Sequence, residues 1–163
     1  LTQLISDNLA SVLQEQQGAE IYNSNLYIFI AGWLKNKGFS NLAKHFEEQH
    51  EEEISHSLII YNLLTDLNAP VIIPEIDKVD ISFSNVLDIA TAYLNREILT
   101  TNSLNEIKKL AIDEDNPVVE ERIREMIKLQ QNEYAESTDW SDKANMTGGD
   151  PKFVFMWDLG VGT

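Results

Sequence analysis

Asn68-Ala69-Pro70-Val71-Ile72-Ile73-Pro74-Glu75-Ile76-Asp77-Lys78-Val79-Asp80-Ile81-Ser82-Phe83 is the stretch that decides the architecture. Pro70 and Pro74 flank the apolar run Val71, Ile72 and Ile73, and about 16 residues extended at ~3.3 Å each reach ~50 Å. The segments on either side carry helix periodicity, and a helix of about 28 residues is ~42 Å long at 1.5 Å per residue. The stretch can therefore travel the whole length of a helix and join two helices that run parallel. A loose linker between independent units is the competing reading. It fares worse, because each flanking helical hairpin is too small for a core of its own.

Working outward, four long helices are expected, at about 8–37, 41–67, 84–112 and 117–146. Asp7 is the expected cap of the first, with Gly18 tolerated inside it and Gly38 supplying the left-handed stop. The second opens near Ser40 or Asn41 and is ended by Asn68 and Pro70. The third starts at about Ser84, and Pro117 opens the fourth at a position that favours proline. Residues 150–163 hold Phe153, Phe155, Met156 and Trp157 but end in Gly160 and Gly162, so at most they form a short apolar helix or docking tail. The short first and third connections make antiparallel hairpins. The fold class is all-α: a four-helix bundle with one long crossover between helices two and three, plus a short C-terminal helix or tail.

Composition narrows the function. The 163 residues are 43% hydrophobic and 24% charged, as in a globular chain. No cysteine is present, which removes disulfides, zinc ribbons, thiolate catalysis and cysteine-ligated clusters together and is compatible with a reducing compartment. No apolar run approaches the ~20 residues that span a bilayer, so a soluble, cytoplasmic protein is expected. With 12 Lys and Arg against 27 Asp and Glu the net charge is −15; this repels nucleic acid and anionic lipid and attracts cations. Glycine-rich phosphate loops, nucleophile elbows and H-E-x-x-H motifs are all missing from the sequence.

The chemistry lies where heptad spacing predicts apolar residues and polar ones stand instead. Leu13, Glu20, Tyr27 and Leu34 form one line; Phe46, Glu53 and Ile60 another; Ala90, Glu97, Leu104 and Ala111 a third. Ile123 with Gln130, and Met126 with Glu133 and Trp140, complete the set. Each helix thus aims a carboxylate inward, and four buried carboxylates at one level need a cation. Glu20, Glu53 and His56 recur as Glu97, Gln130 and Glu133 with a period of 77, so the two hairpins repeat one constellation. Glu53-Ile54-Ser55-His56 is an i, i+3 pair that brings an oxygen and an imidazole nitrogen to one point, a donor set suited to iron or manganese. Glu51, Glu52 and Glu53 alone would read as a solvated face; the repeat reverses that. Tyr27 is either plain core or a hydroxyl bonding a ligand carboxylate. Trp33 and Trp140 read as core. His45 and His50 have no counterpart in the other hairpin and read as surface residues.

At these residues the sequence resembles the ferritin family. Glu20-Ile21-Tyr22-Asn23-Ser24-Asn25-Leu26-Tyr27 looks like the family's first-helix motif, and Glu51-Glu52-Glu53-Ile54-Ser55-His56 like its second. The resemblance covers essentially residues 1–163 as one ferritin-like di-iron domain. It implies a ferroxidase centre in which Glu20, Glu53 and His56 bind one iron, Glu53 bridges to a second completed by Glu97 and Glu133, and Gln130 hydrogen-bonds oxygen or water between them. It further implies that Fe(II) is oxidised by O2 or peroxide and that ferric mineral is stored in a homo-oligomeric shell of 24 subunits. Ile54 stands where haem-containing bacterioferritins have an axial methionine, so no haem is expected. Glu52 and Glu133 match a third iron site of some bacterial ferritins; Leu129 and Asn132 do not. The competing readings are a non-storage di-iron oxidase or peroxidase of the same bundle, and a metal-free helical interaction protein.

Overall fold

The computed structural model describes residues 2–162, and among them five helices and no strand. They are α1 (Asp7–Asn36), α2 (Ser40–Asp66), α3 (Val86–Asp113), α4 (Pro117–Thr147) and α5 (Pro151–Val161). Four of the five are capped from their own sequence. Ser6 accepts from the Leu9 N–H, Asn85 from Leu87, Asn116 from Val119 and Asp150 from Lys152. Ser6 rather than Asp7 therefore caps α1, and Asp7 becomes its first residue, where its charge suits the positive end of the helix dipole. The third helix opens at Val86 instead of Ser84 because Asn85 carries the capping side chain. The fourth runs one residue past Met146 and stops on left-handed Gly148.

α2 is the exception, since Phe39 at its cap position has no side-chain acceptor. The missing cap comes from the far end of the chain. The Leu42 N–H donates to Asp158 Oδ1 at 2.8 Å, and Asn41 Nδ2 donates to the Asp158 carbonyl at 3.0 Å. The tail is thus an 11-residue helix tied to α2 by a buried carboxylate, and it also packs on α4 through Trp157, 4.8 Å between ring centroids from Trp140.

The crossover follows α1 from end to end. Gln14 Nε2 donates to the Pro70 carbonyl at 2.8 Å; Pro74 and Ile76 lie over Gly18; Phe83 packs on Phe29 and Trp33. Gly18 is required as well as tolerated, because a Cβ there would collide with the Pro74 ring. α1 pairs with α2 and α3 with α4, and the crossover sets α2 and α3 parallel. No described helix is long and apolar enough to cross a membrane.

The core is split into two apolar clusters. One holds Leu9, Leu13, Ile60, Leu64, Leu104, Ile107, Ile123 and Met126; the other holds Leu26, Tyr27, Leu34, Phe46, Ile89, Tyr93 and Trp140. Between them, at the waist of the bundle, the buried residues turn polar: Glu20, Asn23, Glu53, His56, Glu97, Thr100, Gln130 and Glu133. Apolar burial on both sides, at about 25 cal/mol per Å², supplies the stability that lets the fold tolerate this layer.

Candidate metal centre

Heptad spacing places each polar side chain at the waist: Glu20 on α1, Glu53 and His56 on α2, Glu97 on α3, Gln130 and Glu133 on α4. All six are buried, and Glu20, Glu53 and Glu97 have no exposed surface. His56 stands among the acids, with Nδ1 3.9 Å from Glu20 Oε2 and 3.7 Å from Glu53 Oε2. Its Nε2 lies 3.9 Å from both Glu133 Oε1 and Glu52 Oε2. These gaps are too long for hydrogen bonds. They suit donors that share an ion, since two ligands each ~2.1 Å from one centre lie at most ~4.2 Å apart.

Three groups could hold a metal: Glu20, Glu53 and His56; Glu53, Glu97 and Glu133; and Glu52, His56 and Glu133, the ligand atoms of each lying within 4.8 Å of one another. The first two share Glu53. The third leads outward, because Glu52 is exposed.

The surrounding hydrogen bonds are uneven. Glu97 is held at both oxygens, Oε1 by the Tyr27 hydroxyl and Oε2 by Gln130 Nε2 at 2.6 Å. Tyr27 is therefore both core, wedged against Phe46 and Tyr93, and a donor to the carboxylate. Glu20 is held at Oε1 alone, by Gln16 Nε2 at 3.0 Å, and Gln16 is steadied in turn by the Ser103 hydroxyl. Glu20 Oε2, both oxygens of Glu53 and Glu133 Oε2 are buried with no hydrogen-bond donor.

An unpaired buried carboxylate resists ionisation. Burial first, then the neighbouring Glu53, pushes Glu20 well above the ordinary range. Burial likewise raises Glu53, with the charges of Glu97 and Glu133 adding to it. Glu97 is raised by burial against the opposing hydrogen bonds of Tyr27 and Gln130. Glu133 is pushed up to about 8, by burial and then by the Glu97 charge. Burial thus favours the protonated form of these carboxylates, and a divalent cation could take the protons' place. Oxygen with one imidazole is a donor set that fits iron or manganese and disfavours thiophilic metals.

Two histidines differ from expectation. His45 is half-buried, its ring edge-on to Phe46 and Tyr93, with Nε2 3.2 Å from the Tyr93 hydroxyl. Burial lowers it to about 4, so it is neutral near pH 7. His50 is also half-buried, Nδ1 meeting the Ser24 carbonyl at 2.7 Å. Neither is a plain surface residue, because the surface of α2 that carries them is covered by α1 and α3. Asn23 and Thr100 are waist residues that heptad reading passed over. They hydrogen-bond each other at 3.1 Å and are 77 apart, the same period as the other waist residues, so the repeat itself was the signal.

Fold and site together define a four-helix bundle of the ferritin-like class with a carboxylate–histidine cluster at its waist. The family model described as a ferritin-like domain matches residues 10–147, and the chain belongs to the ferritin family. It is 24% identical over 159 residues to a probable bacterial non-heme ferritin-like protein of Haemophilus influenzae, covering 98% of this chain and 96% of that one. It is 30% identical over 128 residues to ferritin BfrB of Mycolicibacterium smegmatis, covering 78% and 71%. Among solved structures, an open pore ferritin from the archaeon Archaeoglobus fulgidus superposes with TM-score 0.91 at 20% identity, over 96% of this chain and 97% of that one. Family and fold support iron storage in the broad sense.

Proposed function

We propose that the chain is an iron-storage ferritin with ferroxidase activity, and that Fe(II) is its substrate. One observation carries the reading: four carboxylate oxygens, of Glu20, Glu53 and Glu133, buried at the waist without a donor beside His56. Glu20, Glu53 and His56 would take one Fe(II), and Glu53, Glu97 and Glu133 a second, with Glu53 shared. Gln130 and Tyr27 hold the Glu97 carboxylate in place. Both amide hydrogens of Gln130 go to Glu97, to Oε2 and to the backbone carbonyl, so toward the two ions Gln130 offers only its Oε1, as an acceptor from water. Each Fe(II) gives up one electron. O2 takes two electrons and two protons and leaves as hydrogen peroxide, or peroxide takes the pair and is reduced to water. Protons displaced from Glu53 and Glu133 when Fe(II) binds are a local supply. Fe(III) then moves into the cavity of a homo-oligomer, for which a shell of about 24 chains is our reading. The net charge of −15 draws cations toward it. A chain with no cysteine loses nothing in the reducing cytoplasm, where we place it, and Ile54 leaves no axial ligand for haem.

Aerobic mixing with Fe(II) tests the reaction. A fast phase saturating at about two irons per chain is expected, and its absence from well-folded protein would end the reading. Light scattering tests storage: the expected mass is that of about 24 chains of 18.5 kDa each, and a monomer or dimer would remove storage while leaving oxidation.

A further inference from the structure

Glu20 and Glu97 stand 77 residues apart in the repeat, yet they are supported from different directions. Tyr27 reaches across from α1 to donate to Glu97 on α3. The residue 77 on from Tyr27 is Leu104, a buried side chain with no donor to return to Glu20. Its neighbour Ser103 supplies one at second hand. The Ser103 hydroxyl donates to Gln16 Oε1, and Gln16 Nε2 donates to Glu20 Oε1 at 3.0 Å. None of the proposed steps uses either residue.

A glutamine amide can lie in two orientations, and its neighbours decide between them. A serine hydroxyl can give or accept a hydrogen bond, but an ionised carboxylate only accepts. The chain therefore has one direction whenever Glu20 is a ligand: Ser103 to Gln16, then Gln16 to Glu20. Turned over, the Gln16 amide would set its carbonyl oxygen against the carboxylate. Gln16 is buried, so a partner lost there is not replaced by bulk water. Because the amide occupies Oε1, the oxygen of Glu20 left open is Oε2, which has no donor and lies 3.9 Å from His56 Nδ1. The hold thus selects which oxygen of Glu20 meets an ion shared with His56 and Glu53.

We propose that Gln16 and Ser103 are positioning residues for the metal centre: Ser103 fixes the orientation of the Gln16 amide, and the amide presents Glu20 to the ion through Oε2 alone. The inference rests on the reading of the waist as a metal site. It differs from a general packing role in being confined to one of the two ions, since the hydrogen bonds of both residues lead to Glu20 and not to Glu97 or Glu133.

The test is anaerobic titration of the purified full chain with Co(II), read by its visible absorption bands. It compares wild type with Gln16→Met, Ser103→Ala, Ser103→Thr, the double variant carrying Gln16→Met and Ser103→Ala, His56→Ala and Glu53→Gln. The step that His56→Ala weakens most is the one on the Glu20 side. Gln16→Met should weaken that step by about tenfold, the lower end of what an outer partner of a metal ligand contributes, alter its bands and leave the other step in place. Ser103→Ala should weaken the same step severalfold, and Ser103→Thr, which keeps the hydroxyl, should restore it. In the double variant Ser103→Ala should cost nothing beyond Gln16→Met, because Ser103 acts through Gln16. Unchanged binding in Gln16→Met, an equal loss at both steps, a Ser103→Ala loss that Ser103→Thr does not repair, or a further loss in the double variant overturns the proposal. Should Gln16→Met fail to fold, Ser103→Ala and Ser103→Thr decide, unchanged binding in Ser103→Ala counting against the proposal. Failure of the metal site itself looks different: wild type would then bind no more Co(II) than Glu53→Gln.

Discussion

The α1–α2 hairpin and the α3–α4 hairpin build the same shape from related positions, yet they finish their halves of the waist differently. The first contributes Glu20, Glu53 and His56, with three carboxylate oxygens that nothing donates to. The second contributes Glu97, Gln130 and Glu133, and its Glu97 is already held at both oxygens by Tyr27 and Gln130. Metal affinity follows free lone pairs, so the first half should fill before the second. The hairpins also differ in how they are started. α4 carries its own cap in Asn116, whereas α2 borrows Asp158 from α5. A repeated scaffold thus does not impose repeated surroundings: one half leaves three carboxylate oxygens without a donor, and the other holds Glu97 at both of its oxygens.

The strongest way to break the comparison is to remove what the halves share. Glu53→Gln keeps the shape and deletes the common charge, so the fast phase of Fe(II) oxidation should fall by more than about 100-fold. The metal-free protein should at the same time melt higher, because an uncompensated buried acid is gone; calorimetry without metal checks this, and a lower melting temperature would contradict the view of Glu53 as a strained carboxylate. Next, His56→Ala removes a donor of the first half, whose Nε2 also faces Glu133 of the second, and should weigh more heavily on the first. Co(II) affinity for the tighter of two sites should drop about 10- to 100-fold, and equal loss at both would refute the order of filling.

Acid and base should separate the halves from their ion. Glu53 and Glu133 have folded pKa values above their unfolded ones, so the folded state holds more protons between about pH 4.5 and about pH 8. Metal-free stability is then greatest below that window and declines as pH rises through it. Added Co(II) should raise the melting temperature far more at pH 8 than at pH 5, and a metal-free melting temperature that rose with pH would contradict the burial of these groups. Asp158→Ala should cost ~1 kcal/mol, as a lost cap does. Asn116→Ala should cost about the same; the difference lies in local unfolding. Hydrogen exchange at the start of α2 should quicken when α5 is loosened, while α4 stays protected. The smallest effect is that of Tyr27→Phe, which frees one Glu97 oxygen and should bring the second site only severalfold closer to the first, as read by the spacing of the two steps in a Co(II) titration.

Much of this was legible in sequence because helices and hairpins obey local periodicities. Glu20, Glu53, Glu97 and Glu133 broke the apolar heptad lines, and a period of 77 tied one hairpin to the other. The crossover was readable from its length and from Pro70 and Pro74. His45 was not, since α2 by itself gives no sign of the Tyr93 ring that α3 brings against it. Nor was Asp158, an ordinary acid in a glycine-rich tail until Leu42, 116 residues away, presents an open N–H. Gly18 passes for a harmless gap until Pro74 lies across it.

Sequence alone therefore determined the helices, their order and the polar waist, because these follow from spacing along one chain and from the cost of burying charge. The tertiary structure decided which oxygens are held and which are left free, which histidines are covered, and which way the amide of Gln16 faces. Those are relations between side chains on different helices, where a small shift separates a hydrogen-bonded oxygen from one left without a donor, and no periodicity records them.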